Sequence, residues 1–393
     1  MRTPITHGLL LALGATLAAA PALAAFPACS LSLTSIDTSN VPIGFVRMAL
    51  RADGRPLLVF NTDMANDTQL FVHDCANLAC TSGTSYPFGY ISSRFGDSGV
   101  VIRADDRPLL TTSYYGGLRL YDCNDASCLT ASPTDIVAQS SAIRGDLPML
   151  LQAGGNPLLL YTSPFNSATP GALIAHFCDE VSCTGPGRDV VLATPPPQSQ
   201  FAAYSLALDA QGNPVASYLV SDGASTSYGN MISVCSGDPA CSTITTTQIS
   251  APTGRLMPWH TALAIRSDGR PLVLDNRTDD PALLDCDTPA CTSVTRRSLP
   301  AAAGQPLGLA LMAGDRPAFA RYRTSLMSAW ACDDAQCTSG SEVATATSLD
   351  GVRDGDFKLD ASQRPVITWI NGDTRALWVA RCLSDTLFAN GFD

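Results

Sequence analysis

Ala52-Asp53-Gly54-Arg55-Pro56 leads into Leu57-Leu58-Val59-Phe60, and some twenty residues on come Asp74-Cys75 and then Cys80. Read locally, this is an apolar strand, a D-G turn, a proline, a second apolar strand, a loop, a third apolar strand, and two cysteines with four residues between them. The unit returns six more times along the 393-residue chain, the last copy incomplete. Pro56 has equivalents at Pro108, Pro157, Pro214, Pro271, Pro317 and Pro365.

Strand periodicity runs through every copy. Six residues before each proline stand Leu50, Ile102, Leu151, Leu208, Ile265, Leu311 and Leu359, and eight before it Met48, Val100, Met149, Leu206, Leu263, Leu309 and Phe357. Apolar residues two apart bury one face of a strand. The residue after the first set is mostly polar (Arg51, Arg103, Gln152, Asp209, Arg266), with Met312 the exception. Gly54, Gly155, Gly212 and Gly269 supply the positive φ that a hairpin between twisted strands requires. Proline opening the next strand need not donate to the ladder there. The second cysteine is expected to open a Thr/Ser-rich fourth strand. Four short antiparallel strands per unit, repeated about every 51 residues, give a seven-bladed β-propeller, an all-β fold.

The fourteen cysteines follow the same period. Cys75/Cys80, Cys123/Cys128, Cys178/Cys183, Cys235/Cys241, Cys286/Cys291 and Cys332/Cys337 form close pairs, the Cys235 pair with one residue more than the rest. Zinc needs about four ligands per site, and each unit offers two cysteines with almost no histidine, so disulfides are expected. Cys382 lacks a following partner, and Cys29-Ser30-Leu31-Ser32-Leu33-Thr34 reads as the missing cysteine and fourth strand. The N-terminal strand is therefore expected to complete the last blade, with Cys29 bonded to Cys382.

The domain plan follows. Residues 1–24 read as a secretory signal: Arg2, an apolar run from Leu9 to Ala20, and Ala22-Leu23-Ala24 as the cleavage pattern. Residues 25–382 form one propeller, and 383–393 a tail that resembles a short ending carried by exported bacterial proteins. The reading places the chain outside the cytoplasm, secreted or periplasmic, where disulfides persist. A formal charge of −11 argues against nucleic acid, which needs clustered Lys and Arg. Lys358 is the chain's one lysine. No later stretch suits a membrane span, and the ring is expected to be a monomer.

Strand direction alternates, so the D-G turn and the Cys-x4-Cys hairpin share one face. The variable loops and the connections between blades share the other. Function sits on irregular loops over a rigid scaffold, which points to this second face, near the central channel. The connections carry Arg94 with Asp97, Arg144 with Asp146, and Arg353 with Asp356. These residues suit either a polar ligand held by arginine or ion pairing between blades. Trp259 and His260 enter blade five there; the indole suits stacking on a sugar ring or packing between blades. His73 and His176 fall in third strands, where a structural role is expected. No cofactor is expected. Calcium is the alternative: oxygen ligands for it cluster at Asn61, Asp63, Asn66 and Asp67, and at Asp350, Asp354 and Asp356, though neither group has calcium-loop spacing.

At the level of D-G-x-P followed by C-x4-C, the whole mature chain resembles a group of exported bacterial propeller proteins, a resemblance that carries architecture and no activity. Ser267-Asp268-Gly269 lacks the spacing of a sialidase Asp box, and Gly154-Gly155 lacks the rest of a kelch pattern. Nucleophile-elbow, zincin and phosphate-loop motifs are absent. The functional expectation is a non-enzymatic scaffold binding a glycan or protein through the variable face. The alternative is a carbohydrate-active hydrolase or lyase at the channel mouth, whose paired carboxylates cannot be picked from 35 acids by sequence.

Overall fold

The structure, a computed structural model, describes residues 26, 29–36, 42–62, 68–91, 98–114, 117–138, 147–163, 171–197, 199–221, 227–237, 241–251, 261–275, 281–299, 305–323, 325–344 and 351–384. The expected leader lies outside them, as does everything beyond Ser384.

Seven four-stranded sheets form, each paired in simple sequential order except the last. Blade one is Ile43–Leu50, Pro56–Thr62, Thr68–Cys75 and Gly83–Ile91. Every ladder within the blades is antiparallel, with the turn proline opening the second strand: Leu50 faces Pro56, and Leu359 faces Pro365. The first strands touch one another in cyclic order, that of blade seven against that of blade one, so the ring is a closed β-propeller. Blade seven takes its outer strand from the N-terminus: Cys29–Ile36 lies antiparallel to Leu377–Ser384, Leu31 facing Cys382. Among the described residues no helix is long and apolar enough to cross a membrane.

Burial follows radial position. The second strands are sandwiched by neighbouring blades, and Pro56–Thr62, Pro214–Ser221, Pro271–Asp275 and Pro365–Asn371 are buried at every residue. A strand covered on both faces reads as a continuous apolar run, which is why Leu57-Leu58-Val59-Phe60 does not alternate. The outer strands face water and carry polar residues, as in Thr243–Gln248.

The turn position two residues before each proline has positive φ in all seven blades. Glycine holds it four times, Asp106, Asp315 and Gln363 the rest. All six internal disulfides are formed as the spacing implied, Cys235–Cys241 included. Cys382 is disulfide-bonded as well; the Cys29 side chain lies outside the described ones.

The second cysteines correct one expectation: in the six internal hairpins they do not open the fourth strands. Cys80 stands three residues before Gly83–Ile91, and Cys241 two before Thr243–Gln248. The reason is backbone conformation. Each of these cysteines is left-handed, from Cys291 at 52° to Cys128 at 60° with Cys241 at 53°, and that region lies outside the extended one a strand requires. The cysteine ends the turn, and the strand starts after it. Blade four also departs from the common hairpin. The extra residue sets the Cys235 and Cys241 Cα atoms 5.2 Å apart, against 4.8 or 4.9 Å in the other five. Gly237 takes a φ of 85° there, and Ser242 N–H donates to its carbonyl at 3.4 Å. The four-residue spacing is thus the rule in five blades and not in the fourth.

Candidate functional site: the channel and its two faces

One face is stapled by a charge device. The Arg51 Nε and Nη2 donate to Asp74 Oδ1 at 3.2 and 3.0 Å, and the same guanidinium reaches the backbone carbonyls of Asp106 and Ala126 in blade two. Arg266 repeats this in blade five: it pairs with Asp285 and donates to the carbonyls of Asp315 and Ala335 in blade six. In blade seven the charges are exchanged between strands. Arg381 stands where Asp74 stands, Asp360 where Arg51 does, and Arg381 still donates to the next blade's turn and cysteine hairpin, at the carbonyls of Gly54 and Leu78. Each acceptor pair lies two residues before the turn proline and three after the first cysteine. The D-G turn and the cysteine hairpin thus share a face, as strand direction implied. Sequence reading saw the polar position after the first strand and the acid before the cysteine, but not that they pair; complementary charge at two fixed positions of the repeat was the available signal.

The third-strand histidines belong to the same hairpins. His73 Nδ1 lies 2.6 Å from Ser85 Oγ, and His176 Nδ1 lies 2.7 Å from Asp189 Oδ1. Burial pushes the His73 imidazole below its ordinary pKa, against the pull of the Asp74 carboxylate. Each ring fits over a glycine: a Cβ at Gly83 would stand 2.5 Å from His73 Nε2, and one at Gly187 2.6 Å from His176 Nε2. Each histidine nitrogen lies within 4.8 Å of its two cysteine sulfurs, but those sulfurs are spent on each other, and zinc takes thiolates.

Strand direction assigns the sequence-selected residues to the opposite face. Arg94, Asp97, Arg144, Asp146, Trp259 and His260 lie outside the described residues, as do Asp63, Asn66, Asp67 and Asp350. Asn61 is buried and its Oδ1 accepts the Phe45 N–H at 2.8 Å, filling a bulge in blade one's first strand. The first strands of blades one, four, six and seven all shift register at their variable-face end. Such bulges re-aim side chains. Arg353 is the extra residue of blade seven's bulge, between Val352 facing Asn371 and Asp354 facing Ile370.

Beyond that bulge two acids reach across the closing seam. Asp354 Oδ2 accepts the Val46 N–H at 2.7 Å and an Arg47 Nη1 donor at 2.9 Å. Asp356 Oδ2 accepts the Met48 N–H at 3.0 Å, and its Oδ1 the Phe357 N–H at 2.8 Å. They satisfy N–H groups on blade one's innermost strand. Lys358 Nζ stands 3.4 Å from Asp356 Oδ1.

The first strands enclose a central cavity of about 210 Å3. Arg47, Ser98, Ser205, Thr261, Asp356 and Lys358 supply its polar lining, among apolar groups such as Met149 and Leu263. Asp356 is the one sequence-selected ligand residue seen there. Arg47, Ser98 and Lys358 were not selected, because a channel residue is marked only by its place in the inner strand; Lys358 did carry a signal, as the chain's single lysine.

No protein-family model matches the chain, and no curated protein matches it. Solved structures do. The polysaccharide lyase Uly1 superposes with a TM-score of 0.56 at 8% identity, covering 87% of this chain and 90% of its own. A streptogramin B lyase gives 0.56 at 10%, covering 90% of this chain and 98% of its own. A protein of unknown function from Dyadobacter fermentans gives 0.50 at 12%, covering 93% of this chain and all of its own. At such identities the likeness is one of fold: this chain and those proteins are built on the same propeller scaffold.

Proposed function

We propose that this chain is an exported, non-enzymatic scaffold that binds a glycan or a protein through the face carrying the variable loops. The observation that carries this reading is the difference between the two faces. On the stapled face the turn before the proline has five residues in six of seven blades, the cysteine hairpin has seven in four of six, and side chains are committed to the ring: disulfides, turn residues, and arginines tied to the next blade. On the other, the spacing between second and third strands runs from two residues after Tyr114 to ten after Thr162. A rigid ring with one more regular, stapled face and one variable face suits recognition by loops. Export to the periplasm or beyond is supported by the disulfides, which persist in oxidising compartments.

A second reading is a glycoside hydrolase or polysaccharide lyase at the channel mouth, favoured by an acid and an amine, Asp356 and Lys358, lining one cavity. Against it, both Asp356 oxygens already accept backbone N–H groups. A glycan array run beside a broad polysaccharide-cleavage screen separates the two. Retained ligand without cleavage is expected. Cleavage that disappears in Asp356→Asn would overturn the scaffold reading.

A further inference from the structure

We infer that the Cys178–Cys183 hairpin of blade three is a thiol–disulfide exchange site for an external dithiol, with His176 acting on the sulfur and Asp189 orienting the ring. This chemistry is separate from the recognition proposed above and does not depend on it.

The internal disulfides are nearly alike in spacing but not in surroundings. Two residues before the first cysteine stand Tyr121 in blade two, Ser233 in blade four, Leu284 in blade five and Trp330 in blade six. Histidine holds that place in blades one and three. Each of the two faces a residue of its blade's fourth strand, His73 facing Ser85 and His176 facing Asp189. That one difference sets the chemistry apart. A serine hydroxyl donates or accepts, so it leaves the imidazole tautomer open, whereas an ionised carboxylate only accepts. Asp189 Oδ1, 2.7 Å from His176 Nδ1, therefore holds the proton on Nδ1 and leaves Nε2 to face the disulfide. Nε2 stands 3.5 Å from Cys183 Sγ. In blade one, His73 Nε2 is buried and meets no partner among the described residues.

A carboxylate, an imidazole and a sulfur in line is the arrangement that activates a cysteine. In the dithiol form, bare Nε2 takes the Cys183 thiol proton and the imidazolium holds the thiolate. In reverse, the same imidazolium steadies Cys183 as a leaving group, and a better-stabilised thiolate leaves faster. Reduction then runs in two displacements. A thiolate of the external dithiol attacks Cys178 Sγ; the Cys178–Cys183 bond breaks and its electron pair stays on Cys183. The dithiol's second thiolate attacks its own sulfur in the mixed disulfide, releases Cys178 and departs as a disulfide. The hairpin gains two electrons, and its two sulfurs take up the two protons that the dithiol gives up.

Access comes from the hairpin itself. Cys178 and Cys183 are nearly buried, so attack requires local opening. Ten residues separate Phe177 from Arg188, against six or seven in the other five hairpins. In blades one, two, five and six the residue after the first cysteine donates its N–H to the carbonyl two past the second, as Ala76 does to Ser82 and Asp287 to Ser293. The equivalent bond from Asp179 to Gly185 is not formed. Blade three thus combines the longest hairpin with the one acid-anchored histidine.

The test follows each hairpin within one molecule. The folded protein is exposed to dithiothreitol, quenched in acid, alkylated and mapped by peptide mass spectrometry. Cys286–Cys291, with Leu284 in the histidine's place, is the internal reference. The blade-three pair is expected to open faster than the reference. His176→Gln should lower the ratio of the two rates about tenfold, the worth of one hydrogen bond to a charged group. Asp189 is about half exposed, so Asp189→Ser, which gives blade three the pairing of blade one, should lower the ratio without disturbing packing; Asp189→Glu should restore part of it. Because the ratio is internal, general loosening of the ring moves both rates and cancels. A blade-three pair no faster than the reference, or a ratio unchanged in both His176→Gln and Asp189→Ser, would overturn the site.

Discussion

Asp360 and Arg381 hold, in exchanged order, the places that Arg51 and Asp74 hold in blade one. Both side chains are almost wholly buried, at 3% and 1% exposure. Removing two charges from water costs several kcal/mol each, offset only where geometry is good and remaining donors are used. Here most are: Arg381 Nη1 donates to the Gly54 and Leu78 carbonyls of blade one and Nη2 to Asp360, while the buried Nε has no partner among the described residues. Blade six dispenses with the charges and puts Met312 and Ala331 at the same two positions. With Gln152 and Phe177 in blade three and Asp209 and Val234 in blade four, the chain contains five solutions to one packing problem. Arg381→Ala alone leaves the Asp360 carboxylate buried, with Arg364 reaching it at 3.1 Å from a more exposed position, and should cost about 3–5 kcal/mol. Asp360→Met with Arg381→Ala, the blade-six solution, should recover part of that loss. Asp360→Arg with Arg381→Asp, the blade-one solution, should recover more, because it keeps a donor for the neighbouring carbonyls. Chemical unfolding of the four proteins checks the order. Equal losses in the single and double variants would mean that the buried charge is not the cause.

The cysteine hairpin is the smallest element that repeats nearly without change of shape. Cys80 N–H donates to the Asn77 carbonyl and Ala76 N–H to the Ser82 carbonyl, and the pattern recurs at Cys128, Cys291 and Cys337. Even the longer hairpin of blade four ends on a left-handed Cys241. That conformation costs an L-residue about 1 kcal/mol. The disulfide constrains so short a loop that the chain-entropy model gives it only about 2 kcal/mol. Once the bond is gone, the backbone cost decides which replacement is best. Cys75→Ala with Cys80→Gly should be more stable than Cys75→Ala with Cys80→Ala by about 1 kcal/mol, as thermal unfolding of the two would measure. If the alanine version is equal or better, the hairpin has abandoned the left-handed turn. The turn glycines before the prolines and the cysteine spacing were legible in sequence, because both needs fall on residues near one another in the chain. The left-handed cysteine was not: nothing about a cysteine announces its φ, and so the start of the fourth strand was placed too early. Nor were the Arg51 contacts, whose acceptors are backbone carbonyls some fifty to seventy-five residues away. The channel was legible as a place but not as a residue set, since its lining comes from seven first strands, one position in each telling nothing alone.

Ring closure is where the molecule departs from its own repeat. Elsewhere each blade is continuous in sequence; blade seven joins the first described strand to the last three. Several contacts converge on that seam. Ile36 packs with Ile43, Val46 and Val379, and Thr34 Oγ1 donates to the Ala79 carbonyl of blade one at 2.9 Å. Asp354 and Asp356 cap the Val46 and Met48 N–H groups across it. Without the N-terminal strand, Leu377–Ser384 would present an open edge, a template for pairing with another chain. The backbone register puts Leu31 opposite Cys382 and Cys29 opposite Ser384, and we propose that Cys29 is the partner of the bonded Cys382. A bridge here closes nearly the whole chain into a loop, worth about 6 kcal/mol in the chain-entropy model against about 2 for an internal pair. Cys29→Ser should then lower the thermal midpoint more than Cys75→Ala with Cys80→Gly does, and should promote concentration-dependent association as the terminal strand frays. Scattering-coupled size exclusion and thermal unfolding measure the two effects, and a non-reduced peptide map tests the bond itself. A map that joins Cys29 to any other cysteine, or a variant that melts like wild type, would leave strand pairing alone as the clasp of the ring.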